Sequence, residues 1–189
     1  MRSILLVRHA EPLVVPHQKA STWRLTDAGR ATAWELAASL VDDHLGIVVT
    51  SQERKARETG EVIACALGLT VREHEGLGEQ GGDSVEFISN RDVFRETVRQ
   101  HFGESSRIPL GQESAIKAGA RFASVVADLS DQVSPPRCPI LVSHGRVMAS
   151  FLALATGADA WTIWNDFMMP DAIAVDLDSG TIHRLVTGN

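Results

Sequence analysis

Two short apolar runs constrain this chain most: Ile4-Leu5-Leu6-Val7 near its start and Ile140-Leu141-Val142 near its end. Neither alternates with polar residues. Each must therefore be covered on both faces, like strands of a parallel sheet held between helices. Each also stops abruptly at a histidine, the first in Arg8-His9-Ala10 and the second in Ser143-His144-Gly145. In open α/β sheets ligands sit beyond the carboxyl ends of the strands, where a titratable ring is well placed for chemistry. One such end could be chain merely emerging into solvent; two of the same outline form a pattern.

With 189 residues, 44% of them hydrophobic, the chain can bury a core without staples, and one domain spanning 1–189 is expected. A formal charge of −6 argues against a nucleic-acid or anionic membrane surface but leaves room for a small basic pocket. No apolar run approaches the roughly 18 residues of a membrane span. The opening run is too short for a signal peptide and lacks a cleavage site. A cytoplasmic location is expected, with Cys65 and Cys138 as reduced, mostly buried thiols.

Residues 12–25 show no period and form a loop, with Trp23 and Arg24 its ligand-capable side chains. Thr26 reads as an N-cap, with Asp27 in the first turn of a helix reaching about Asp43. Its inner face is Ala33, Leu36, Ala37, Leu40 and Val41. Residues 46–51 form a second buried strand, followed by a helix from near Gln52 to near Gly68. On that helix Thr59, Val62, Ile63 and Ala66 share a face. At about 100° per residue Lys55 lies about 50° from its centre, and Arg54 and Arg57 roughly 150° away. Lys55 thus leans toward the strand ends, near a helix start where the macrodipole disfavours a cation unless an anion is bound.

Residues 70–74 alternate and suit a strand nearer an edge. Gly76, Gly78 and Gly81 then spell a dinucleotide-type glycine motif, but Glu79 stands where a pyrophosphate would approach. No acidic residue ends a following strand about 20 positions on, so a loop presenting the Glu79 carboxylate is the better reading. A helix-like segment over 84–102, a loop over 103–110 and a helix over 111–130 follow, the last with Phe122, Val125, Val126 and Leu129 inward. Residues 79–110 contain no strand and suit a lid-like excursion over the site. After Pro135, Pro136 and Pro139 comes the second apolar strand, then a helix from Arg146 to about Thr156 whose free N–H groups offer an anion site. Trp161, Trp164, Phe167, Met168 and Met169 read as cover for the core. Residues 172–177 and 181–186 flank Asp178-Ser179-Gly180 as an antiparallel hairpin closing one sheet edge.

Arg8, His9, Lys55 and His144 thus collect at strand ends, with Glu79 on a loop. Cations and imidazoles facing a helix N-terminus suit a dianion such as a phosphoryl group. Neighbouring cations keep a histidine deprotonated, as a nucleophile must be, and a lone carboxylate beside them suits a proton carrier. The histidines lack metal-ligand spacing, and no metal or other cofactor is expected.

In order along the chain, these motifs resemble the histidine phosphatase superfamily, the phosphoglycerate mutase-like proteins. Arg8-His9-Ala10 is similar to that family's Arg-His-Gly, and Leu25-Thr26 with Gly29 to its Leu-Thr-x-x-Gly. Ser51 to Thr59 resembles Ser-Pro-x-x-Arg-Ala-x-x-Thr, and Leu77-Gly78-Glu79 the acid-bearing segment. Gly111-Gln112-Glu113-Ser114 with Arg121 is similar to Gly-Glu-Ser…Arg, and Ser143-His144-Gly145 to the second histidine block.

The resemblance implies that His9 accepts a phosphoryl group whose oxygens Arg8, Lys55 and His144 hold. Glu79 would be the general acid and then the base for water. Lys55 replaces the usual arginine, offering a point charge in place of a planar fork, and Ala10 for glycine is mild only where φ is negative. Trp23, Arg24, Glu113 and Ser114 are the candidates for substrate specificity.

The expected fold is a three-layer α/β/α arrangement with a mostly parallel sheet and an antiparallel edge hairpin. The expected activity is metal-independent hydrolysis of a small phosphorylated metabolite through a phosphohistidine. A phosphoglycerate-type phosphomutase, a phosphohistidine-protein phosphatase and a non-catalytic phospho-ligand binder are the alternatives. The expected partner is the phosphorylated substrate, and a homo-oligomer is compatible with the sequence.

Overall fold

A computed structural model describes residues 2–40, 44–81, 83, 86–103, 110, 113–133 and 137–185. Six strands form one sheet in the order β3-β2-β4-β1-β5-β6. They are β1 Ser3–Arg8, β2 Leu45–Thr50, β3 Val71–Glu73, β4 Cys138–Ser143, β5 Asp171–Asp176 and β6 Ile182–Leu185. The first four run parallel to one another, and the β5–β6 hairpin adds the antiparallel edge.

The two apolar runs become adjacent central strands, with Leu5 opposite Ile140 and Arg8 opposite Ser143. Alternation along β1 then separates two cores. Ile4 and Leu6 pack with Phe122, Leu129, Met148 and Phe151 on one face of the sheet. Leu5 and Val7 pack with Leu36, Leu40, Ala56 and Ile63 on the other. The helices supplying these side chains are α1 Asp27–Ser39 and α2 Arg54–Leu67 on one side, and α4 Ala115–Gln132 and α5 Gly145–Thr156 on the other. Three layers result. Two further helices, α3 Arg91–Gly103 and α6 Ala160–Asp166, pack on each other.

Element boundaries obey local chemistry. Thr26 caps α1, its hydroxyl accepting from Gly29 N at 2.8 Å. Helix α2 ends at Gly68 in the left-handed region, at φ 66. Val41 and the expected end of α1 near Asp43 lie outside the described residues, as do the 104–109 stretch of the expected loop, Gly111, Gln112, Pro135, Pro136 and Val186. The helix expected over 84–102 is shorter, beginning at Arg91; Phe87 and Ile88 precede it. The expectation of mostly buried thiols is corrected at Cys65, which is exposed on the outer side of α2.

Gly29 sets the path of the chain leaving β1. A Cβ there would fall deep inside van der Waals contact of the Glu11 carbonyl oxygen, and the Glu11 backbone cannot retreat as a side chain can. Gly29→Ala is expected to destabilise the fold by about 2 kcal/mol, measured by urea unfolding. An unchanged midpoint would mean that the loop after His9 adapts freely.

Candidate active site

The central strands end side by side. Ladder bonds at their carboxyl ends hold the emerging backbone in place: His9 N donates to Ser143 O at 2.9 Å, and Ser51 N to Val142 O at 2.9 Å. The segments after β1, β2 and β4 are thereby drawn together. The ring centroids of His9 and His144, separated by more than a hundred residues of chain, lie 5.1 Å apart.

His9 is nearly fully buried. Its Nδ1 lies 2.8 Å from the Ala10 carbonyl oxygen, which can only accept, so Nδ1 carries the proton and Nε2 keeps a lone pair. Burial holds this imidazole well below its ordinary pKa, and His144 and Lys55 push in the same direction. The ring is therefore neutral at pH 7. Ala10 donates its N–H to Thr59 Oγ1 at 3.0 Å, and no described non-glycine residue has positive φ, so alanine is unstrained here.

His144 opens α5 and is fully buried. Its Nε2 is 2.8 Å from Ser51 Oγ and 3.4 Å from Glu53 Oε1. Burial lowers its pKa to about 4, with Glu53 pulling up and Lys55 down. Next to it, Gly145 lets α5 approach Arg8, since a Cβ there would lie 3.1 Å from both Arg8 Nε and Trp164 Nε1. Arg8 donates from Nη1 to the Phe167 carbonyl at 3.1 Å; its buried Nε has no partner among the described residues.

Lys55 points inward and is buried, whereas Arg54 and Arg57 are partly exposed, Arg54 pairing with the buried Glu58 and Arg57 with the surface Glu73. Its ammonium donates to Ala20 O at 2.9 Å and is ion-paired with Glu53. Glu79 is anchored at the start of α5, accepting from Val147 N at 3.0 Å and Gln80 N at 2.8 Å beside Arg146 Nε at 3.4 Å. Burial pushes its carboxyl up, but Arg146, His144 and these N–H groups outweigh it and hold it at about 2. The carboxyl is ionised at neutral pH in the resting site.

Arg8, His9, Lys55 and Glu79 line one cavity of about 660 Å³, together with Trp23. His144 stands behind His9, outside that wall. Three expected specificity residues lie elsewhere. Arg24 is exposed and off the cavity wall. Ser114 caps α4, accepting from Lys117 N at 3.3 Å, and Glu113 pairs with Arg121.

Two site residues escape the sequence reading. Arg146 lines the cavity and pairs with Glu79. Glu53 lines it too, pairing with Lys55 and accepting from Glu79 N at 2.9 Å. Burial pushes the Glu53 carboxyl up, against which His144 and Lys55 hold it down at about 2. Three cations therefore face two carboxylates on the cavity floor, the same net charge as Arg8 and Lys55 against Glu79 alone.

The sequence profile of the histidine phosphatase superfamily, branch 1, matches residues 4–178. The chain belongs to this superfamily. A relative named probable phosphoglycerate mutase GpmB, from Escherichia fergusonii, is 27% identical over 169 residues, covering 85% of this chain and 78% of that protein. Among solved structures, a mycobacterial glucosyl-3-phosphoglycerate phosphatase superposes with TM-score 0.75, at 22% identity over 98% of this chain and 97% of that one. A phosphoserine phosphatase from Entamoeba histolytica superposes with TM-score 0.73, at 17% identity over 98% and 96% of the two chains. These structures share the superfamily's α/β fold. No described helix is long and apolar enough to cross a membrane.

Two predictions arise here. A dianion entering the cavity meets the Glu53 carboxylate, so Glu53→Gln is expected to tighten inorganic phosphate binding about threefold to tenfold, read by calorimetry. Weaker binding would mean instead that Glu53 chiefly holds Lys55 in place. The second concerns acid. His144 titrates at 6.5 unfolded and about 4 folded, so the unfolded state takes up protons first and stability falls as pH drops through that window. Glu53 and Glu79, at 4.5 unfolded and about 2 folded, add stability that is lost as pH falls from 4.5 toward 2. The melting temperature is expected to decline steadily below about pH 6.5; a flat profile down to pH 4 would contradict it.

Proposed function

We propose that this protein is a metal-independent phosphomonoesterase acting on a small phosphorylated metabolite through a covalent phosphohistidine at His9. The observation that carries the reading is the Nδ1 contact of His9 with the Ala10 carbonyl, which leaves a bare Nε2 on a buried ring at the charged floor of the cavity. That nitrogen attacks phosphorus, a P–N bond forms, and the bond from phosphorus to the ester oxygen breaks. The leaving oxygen takes a proton from Glu79, and Glu79 then removes one from the water that attacks the phosphohistidine. Water's oxygen ends on phosphate, and His9 is restored.

Glu79 must be protonated for the first half of this cycle. A bound dianion beside it disfavours the carboxylate and raises its pKa toward the working range. Arg8, Lys55 and the N-terminal turn of α5 meet the charge on the phosphoryl oxygens. Where the Ser51 hydroxyl donates to His144 Nε2, the proton of His144 sits on Nδ1, which has no partner among the described residues and can support that charge from behind.

The test is phosphate release from an aryl phosphate in the presence of a chelator, with rapid-quench capture of an acid-labile, base-stable phosphoenzyme. Turnover without a phosphoenzyme under burst conditions would exclude the covalent route. The name of the Escherichia fergusonii relative supports a second reading, a phosphoglycerate mutase. Incubation with one phosphoglycerate isomer separates the two: a hydrolase liberates phosphate, a mutase exchanges the isomers.

A further inference from the structure

Beyond its charged floor the cavity changes character. Its walls are Trp23, Phe87, Ile88, Phe94, Trp164 and Met169. The rings meet edge to face in two pairs drawn from separate segments, Trp23 with Phe87 at 6.0 Å and Phe94 with Trp164 at 6.1 Å between centroids. Rings in this arrangement offer broad apolar faces and edges to a ligand's hydrocarbon part.

Charge along the walls points the same way. Glu11, Asp83 and Glu86 line the cavity at its exposed mouth. Away from the floor, the described lining residues that could oppose them are His17 and Lys19, both on the exposed rim. Lys19 is 71% exposed and already 3.7 Å from Asp83. Nearby arginines are engaged elsewhere. Arg95 lies over the Trp161 ring at 5.4 Å and bonds Asn165; Arg121 bonds Glu113 and the Gly76 and Gly78 carbonyls. A second anionic group on a substrate would meet rings and the repulsion of these carboxylates without gaining a free cation.

From this juxtaposition of ring-lined walls with Glu11, Asp83 and Glu86, we propose that the site selects phosphomonoesters of apolar, ring-bearing alcohols and rejects those carrying a carboxylate, phosphoglycerate included. The proposal rests on the phosphatase reading above and sets the substrate class for it.

The experiment compares kcat/KM for benzyl phosphate, O-phosphoserine and 3-phosphoglycerate. All three release alkyl alcohols, so leaving-group reactivity does not decide the order. Benzyl phosphate is expected to lead by about 10- to 100-fold, mainly through KM. Phe87→Ala is expected to narrow that lead about tenfold, and Glu86→Lys to raise kcat/KM on 3-phosphoglycerate by a similar factor. Turnover of 3-phosphoglycerate by the unaltered protein as fast as benzyl phosphate overturns the proposal and leaves the phosphatase reading standing. If none of the three is hydrolysed, the phosphatase reading falls, and calorimetry with benzylphosphonate and phosphonoacetate decides the selectivity alone. Tighter benzylphosphonate binding supports it; equal or reversed affinities end it.

Discussion

His9→Ala is expected to cut kcat for phosphate release by about 10,000-fold or more while inorganic phosphate still binds within a few-fold of the unaltered protein. Losses of that size accompany removal of a covalent nucleophile, because the surviving groups still bind and polarise the substrate but cannot open the two-step route. The other imidazole that lines the cavity, His17, lies on its exposed rim. His144 is fully buried behind His9, with Nε2 engaged by Ser51 and Glu53. Binding survives because Arg8, Lys55 and the start of α5 hold their places through other contacts. Steady-state phosphate release and calorimetry check the two halves together, and His9→Asn serves as a control closer in shape. Turnover within tenfold of the unaltered protein in either variant would mean that His9 is not phosphorylated.

Glu79→Gln is the second large effect, and here the leaving group separates its two proposed roles. With an alkyl phosphate, loss of the acid is expected to slow the first chemical step by about 100- to 10,000-fold. With p-nitrophenyl phosphate the departing phenolate needs no proton, so the first step survives. Loss of the base then stalls hydrolysis of the phosphohistidine. The expected trace is a burst of one nitrophenolate per site and then slow turnover, read by stopped-flow absorbance. Unimpaired turnover on both substrates would remove Glu79 from the chemistry and turn attention to Glu53, the other carboxylate on the cavity floor.

The parts of this molecule legible in its sequence are those where one physical constraint acts alone. Strands β1 and β4 declare themselves because burial on both faces leaves no room for polar residues. Lys55 can be placed because helical phase fixes its direction once the apolar stripe of α2 is known. Arg146 escaped although the same reasoning reaches it: a cation in the first turn of α5 opposes the macrodipole and asks for a negative partner, which is Glu79. Glu53 had no comparable signal. It precedes the first helical turn, where a carboxylate is ordinary, and only the folded chain shows it between Lys55 and His144. Phe87 and Ile88 misled for another reason. Apolar side chains that wall a cavity carry the same composition as those that fill a core, and a helix extended back to residue 84 explains them equally well until coordinates place them. Glu113 and Ser114 answer instead to local needs, an ion pair with Arg121 and the capping of α4.

Strand β4 lies between β1 and β2 although it is made long after both. Until residues 138–143 are synthesised, β1 and β2 have no neighbour on the sides that will face each other, and two apolar ribbons present unsatisfied backbone along a shared gap. Such edges recruit other chains, so the nascent protein is exposed to aggregation for as long as β4 is missing. Filling the gap covers those facing edges and, in the same stroke, sets His144 beside His9. A truncated copy ending before β4 would therefore be both sticky and inert, since His144 and the start of α5 would be missing with it.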